Sequence, residues 1–74
     1  MKGKYITTSQ GEIILFPEII VHSEFKHLNP ISAGFFYINA DNQIVCHGKS
    51  ISLGLSSHEE DSDQANLQFQ NLND

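Results

Sequence analysis

The stretch from Ile31 to Leu55, ISAGFFYINADNQIVCHGKSISLGL, constrains the fold most, because it sets two β-patterned runs on either side of one clear turn. Its first run, residues 33–38, contains Phe35, Phe36, Tyr37 and Ile38, side chains that suit a pleated, half-buried surface better than a helix. Alternation along a strand puts Phe36 on one face and Phe35 with Tyr37 on the other. Asn39-Ala40-Asp41-Asn42-Gln43 follows. Asn and Asp bond their own backbone and tolerate left-handed conformations, so the chain reverses here before Ile44.

The return run, Ile44 to Leu55, changes phase at Gly48. Before that glycine the even positions Ile44 and Cys46 are apolar, and after it the odd positions Ile51, Leu53 and Leu55 are. One extra residue shifts a period-two pattern in this way, which predicts a bulge or bend at about Gly48. Two shorter strands joined loosely across His47 to Ser50 fit the pattern equally well.

Nearer the start, Lys4 to Thr8 and Ile13 to Phe16 are β-prone runs separated by Ser9-Gln10-Gly11-Glu12, whose glycine can supply a positive φ. This is a second hairpin. Ile13-Ile14-Leu15-Phe16 is apolar without alternation, as in a strand that is covered on both sides or central in its sheet, and Pro17 ends it. From Glu18 to Asn29 two readings stand. Ser23 can cap a short helix over residues 24–28 that closes at Asn29-Pro30, or a helix can start at Pro17 with Val21, Phe25 and Leu28 as its buried stripe. The β-branched run Ile19-Ile20-Val21 favours the short helix.

After Leu55 the composition turns acidic. Ser57 with Glu60 makes a capping box, so a helix is expected to begin near His58, with Ala65, Phe69 and Leu72 as its apolar stripe. The expected architecture is α+β in a single domain, residues 1–74. It comprises a β-rich core over 1–55 with a short helix near 23–28, and an acidic C-terminal helix within 56–74. The core is one antiparallel sheet of about four strands in two hairpins, with the helices packed on one face.

A chain of 74 residues buries only roughly 60% of its unfolded surface, which leaves little room for a deep active site. Cys46 is the single cysteine, so no internal disulfide forms and a cytoplasmic location is expected. No apolar run approaches the ~20 residues that span a bilayer, and no membrane association is expected. The net charge of −5 is unevenly placed. Lys2, Lys4, Lys26 and Lys49 balance Glu12, Glu18, Glu24 and Asp41, so the excess lies in Glu59, Glu60, Asp61, Asp63 and Asp74. With no arginine and no basic cluster, nucleic acid is disfavoured as a partner.

The residues that suggest chemistry do so weakly. Gly48-Lys49-Ser50 resembles the end of a phosphate loop, but position 43, where that loop needs glycine, is Gln, and a strand pattern follows. His22, His27, Cys46, His47 and His58 lack paired metal-ligand spacing, and the neighbours Cys46 and His47 point to opposite faces of a strand. No metal or cofactor is expected. Glu59-Glu60-Asp61-x-Asp63 lacks the glycine and closing glutamate of a calcium loop and suits the start of a helix.

Two surfaces remain for partners: Phe35 and Tyr37 on an open sheet face, and Glu59, Glu60, Asp61 and Asp63 as a docking face for a basic protein. The expected function is that of a non-enzymatic binding or regulatory module that engages a protein partner or a second copy of itself as a homodimer. The alternative is a small enzyme or ligand-binding subunit that uses Cys46, His47 and Lys49 at the bulge.

Overall fold

The computed structural model describes residues 1–69. Six strands and two helices follow one another as β1 (Lys2–Thr7), β2 (Ile13–Phe16), a 3₁₀ helix (His22–Leu28), β3 (Ser32–Ile38), β4 (Ile44–His47), β5 (Lys49–Ser50), β6 (Leu55–Ser56) and α1 (Asp61–Phe69). The first four strands form one antiparallel sheet in the order β2-β1-β3-β4, and β5 pairs with β6 in a separate small ladder. The α+β class and the four-stranded sheet expected from the sequence are both present.

Local turn chemistry makes both hairpins. Thr8 Oγ1 accepts from the backbone N–H of Gln10 at 3.3 Å and of Glu12 at 3.2 Å, and Gly11 takes a φ of 84° that a side chain would strain. Asn39 Oδ1 accepts from the N–H of Asp41 and of Gln43, each at 3.0 Å, while Asn42 sits at φ 63°. The expected long strand from Ile44 to Leu55 does not form. At Gly48, φ 80°, the chain leaves the sheet, and residues 51–54 make a turn in which Gly54 donates to Ser50 O at 3.0 Å. Ile51 therefore stands 89% exposed, whereas the sequence pattern had it inward. β5 and β6 lie along β3.

The middle helix begins at His22 with Val21 as its N-cap and no side-chain cap, so Ser23 is not the cap and no helix runs from Pro17. It ends at Asn29 in a left-handed conformation, which asparagine tolerates better than most side chains. At α1 the expected pairing of Ser57 with Glu60 is replaced by Asp61, whose Oδ2 accepts from the His58 N–H at 2.9 Å, and the helix starts three residues later than expected. Leu72, the third residue of the expected stripe, lies outside the described residues.

The two helices cover opposite faces of the sheet, not one. Tyr5, Ile13, Phe36 and Ile44 pack with Ala65 of α1, flanked by Leu15, Ile38, Cys46 and Phe69. On the other side Ile6, Phe16 and Ala33 pack under Ile20, Phe25 and Leu28, with Leu53 and Leu55 closing the cluster. The physical reason lies in β2: Ile13 and Leu15 point one way, Ile14 and Phe16 the other, and each pair needs cover. Among the described residues no helix is long and apolar enough to cross a membrane.

Candidate functional site

On the face that carries the 3₁₀ helix, antiparallel register aligns side chains in rows across the strands. One row runs Phe16, Lys4, Phe35, His47, and the next runs Lys2, Tyr37, Val45. The β2 end of the first row is covered, with the Phe16 ring 4.5 Å from Phe25 and 5.5 Å from His22 between centroids. The β3–β4 end is not. Tyr37 is 43% exposed, and the exposed His47 ring lies 5.6 Å from Tyr37 and stacks on Phe35 at 6.2 Å. The strip stays open at Tyr37 and His47 because the 3₁₀ helix reaches the Ile6, Phe16 and Ala33 cluster and, through His22, Phe35 but no further, and because the chain that might have covered it turns away at Gly48.

Of the residues singled out from sequence, Phe35, Tyr37 and His47 therefore come together. Lys49 lies nearby, lining a groove of about 580 Å³ with Phe35, Lys4 and Val21. Cys46 does not join them; it packs on the α1 side. Burial first, and the Asp61 charge second, push its thiol up to about 11, so it is protonated at neutral pH and is not a ready nucleophile. With His47 on the opposite face, a cysteine–histidine pair is not assembled.

The acidic run divides as well. Glu59, Glu60 and Asp63 are exposed, and Glu60 stands 3.8 Å from His58 Nδ1. Asp61, expected on a partner-facing surface, is 3% exposed. Its Oδ2 accepts from the Tyr5 hydroxyl at 2.5 Å as well as from the His58 N–H. Burial, then the hydrogen bond to Asp61 and the charge of Asp61, push the Tyr5 phenol well above its ordinary range. The carboxylate serves as a buried anchor that ties the helix start to the centre of the sheet.

Sequence reasoning weighed His22 only as a metal ligand and missed the structural roles of three residues. His22 is 5% exposed; its Nε2 lies 2.7 Å from Gly34 O, and because a carbonyl only accepts, Nε2 carries the proton. Its ring meets Phe16 and Phe35 edge-on, at 5.5 and 5.6 Å. The other two are amides of α1. Asn66 accepts from Ile44 N at 2.7 Å and donates to Ile44 O at 2.9 Å, while Gln68 accepts from Ile13 N at 2.8 Å and donates to Ile13 O at 2.7 Å. Ser62 Oγ accepts from Cys46 N at 2.8 Å. Since β2 and β4 are the two edges of the sheet, α1 supplies each edge with a side-chain substitute for a neighbouring strand. No signal in the sequence distinguishes these amides from solvated ones.

Among the described residues no group of three His, Cys, Asp or Glu side chains is placed to hold a metal ion. No protein-family model, no curated protein and no solved structure matches this chain.

Proposed function

We propose that this protein is a non-enzymatic, cytoplasmic binding module that engages a protein partner, another chain or a second copy of itself, through the open strip formed by Phe35, Tyr37, Val45 and His47. The observation that carries this reading is the exposure of Tyr37 beside a His47 ring packed against it, on a part of the sheet that neither helix covers. Tyrosine supplies large, stiff contact area with a polar tip, which is why it concentrates at interface centres. Lys2 and Lys4 share this face and Lys49 lies beside it, so three of the four lysines border the strip. That charge favours a partner with an acidic contact surface and speeds its approach. The exposed carboxylates Glu59, Glu60 and Asp63 belong to the α1 end and do not contribute to the strip.

The test is light scattering coupled to size exclusion at micromolar concentration and two salt levels, on the wild type and on Tyr37→Ser. A dimer that Tyr37→Ser dissociates assigns the strip to self-association. If the wild type is monomeric, affinity capture is run with wild type, Tyr37→Ser and Asp63→Asn as baits. A protein retained by wild type and Asp63→Asn but lost by Tyr37→Ser supports the reading, and equal retention by all three sinks it.

A further inference from the structure

Beside the open strip, the start of the 3₁₀ helix and the β5 turn face each other across a groove of about 580 Å³, within the range of roughly 300–1,000 Å³ typical of small-molecule sites. Its floor includes Phe35, and its walls carry Val21 and Ile51, which are 50% and 89% exposed. Two apolar side chains standing in water on the lining of one groove are a cost that a ligand with an apolar body would remove. Lys4 and Lys49 line the same groove, and among the described residues no carboxylate does. Lys4 is half-buried and held there by one hydrogen bond from Nζ to Ile20 O at 3.1 Å, which leaves two of its three ammonium protons free for another acceptor. The pairing of an apolar lining with positive charge stands out in a chain whose net charge is −5.

We infer that this groove binds a small organic monocarboxylate with an apolar tail, the carboxylate between Lys4 and Lys49 and the tail against Phe35, Val21 and Ile51. The two oxygens of one carboxylate can each accept from one ammonium group, whereas phosphate recognition calls for a denser set of N–H donors, commonly arginine, and the chain has none. His22 borders the site with Nε2 already engaged by Gly34 O, so its ring forms part of the wall and the bond holds it in place. This goes beyond the protein-binding reading: Phe35, Lys4 and Lys49 border both sites, but Tyr37 and His47 do not line the groove.

The experiment is a titration of the ¹⁵N-labelled protein with octanoate, below its micellar concentration, followed by amide shifts, with octylamine and octanol as controls of the same tail. Saturable shifts centred on Val21, Ser23, Gly48, Lys49 and Ile51 are expected with octanoate, weaker ones with octanol and weaker still with octylamine. Lys49→Gln, at an exposed position, is expected to weaken octanoate about two- to fivefold and leave octanol unchanged, the range of an exposed charge pair. Ile51→Ser, equally harmless to the fold, is expected to weaken octanoate and octanol alike. Equal shifts with octanoate and octylamine would overturn the inference, as would a response that never saturates or one centred on Leu15, Ile38 and Ile44. Because Lys49→Gln and Ile51→Ser leave Tyr37 and His47 intact, failure here is separable from failure of the protein-binding reading.

Discussion

The two faces of one small sheet are finished in different ways. Over Tyr5, Ile13, Phe36 and Ile44 lies α1, a helix that adds to its apolar contact a buried carboxylate on Tyr5 and amide clamps on both edge strands. Over Ile6, Phe16 and Ala33 lie only a 3₁₀ helix without a side-chain cap and the β5–β6 ladder, and the cover stops short of Tyr37 and His47. The first face is fastened by polar groups that reach across the whole chain, from Tyr5 to Asp61 and from Ile13 to Gln68. The second is held by apolar packing over part of its area and by shorter-range polar ties, His22 to Gly34 O and Lys4 to Ile20 O. In so small a domain, stability and an available surface are both achieved by dividing them between opposite sides of the same strands.

Phe36 and Tyr37, neighbours in sequence, separate these roles most sharply, and Phe36→Ala should have the largest effect. A buried phenylalanine truncated to alanine costs about 3–5 kcal/mol. At roughly 0.05–0.15 kcal/mol per residue the whole fold is worth about 4–11 kcal/mol, so this variant should lose a large share of its stability and melt more than about 10 °C below wild type by circular dichroism. A cooperative melt within a few degrees of wild type would mean that the α1 face is not the stabilising one.

Alkaline pH attacks the same face next. Tyr5 and Cys46 are both held in their neutral forms, with folded pKa values above the ordinary ones of 10.0 and 9.0. Such groups contribute stability that is complete below the unfolded pKa and is lost as pH rises toward the folded one. Denaturation midpoints should hold to about pH 8.5 and then fall from pH 9 through 11. The loss from Cys46 is on the order of 2 kcal/mol, with Tyr5 adding to it above pH 10. Cys46→Ala should delay the onset; an unchanged onset would assign the loss to other groups.

Removing one amide clamp should have a smaller and more local effect. Asn66→Ala and Gln68→Ala should each cost about 1 kcal/mol, since water can partly replace the lost bonds at a sheet edge. Amide exchange should quicken at Ile44 in the first variant and at Ile13 in the second, and exchange of the central strand β1 should change least. Smallest of all, Tyr37→Ala should shift stability by less than about 1 kcal/mol while altering the association measured by light scattering. A Tyr37 variant as damaging as Phe36→Ala would erase the distinction between the faces.

What the sequence revealed and what it hid differ by range. Both hairpins were legible because their turns are made by residues next to them: Asn39 bonds Asp41 and Gln43, and Thr8 bonds Gln10 and Glu12. The phase change at Gly48 was legible too, but not the direction the chain takes afterwards, since a positive φ opens either a bulge or a departure. Ile51 was misplaced for that reason. Which acid of Glu59, Glu60, Asp61 and Asp63 turns inward is decided by a tyrosine hydroxyl 56 positions away, and neighbouring residues carry no mark of it. The unalternating β2 fitted either cover on both faces or a central place in the sheet; it is an edge strand covered on both faces, and assigning both helices to one face set the first reading aside. Of the candidate site, Phe35 and Tyr37 were read from strand alternation. The burial of His22 depends on Phe16, Phe35 and Gly34 O, which only the folded chain assembles.

The amide clamps also order events during folding. Every strand of the four-stranded sheet is complete by His47, whereas the helix that finishes its edges ends at Phe69. A chain that pairs its hairpins before α1 docks leaves its outermost backbone amides at Ile13, Ile44 and Cys46 without their side-chain partners. The rate at which α1 docks therefore sets how long both sheet edges stay open to pairing with a second copy.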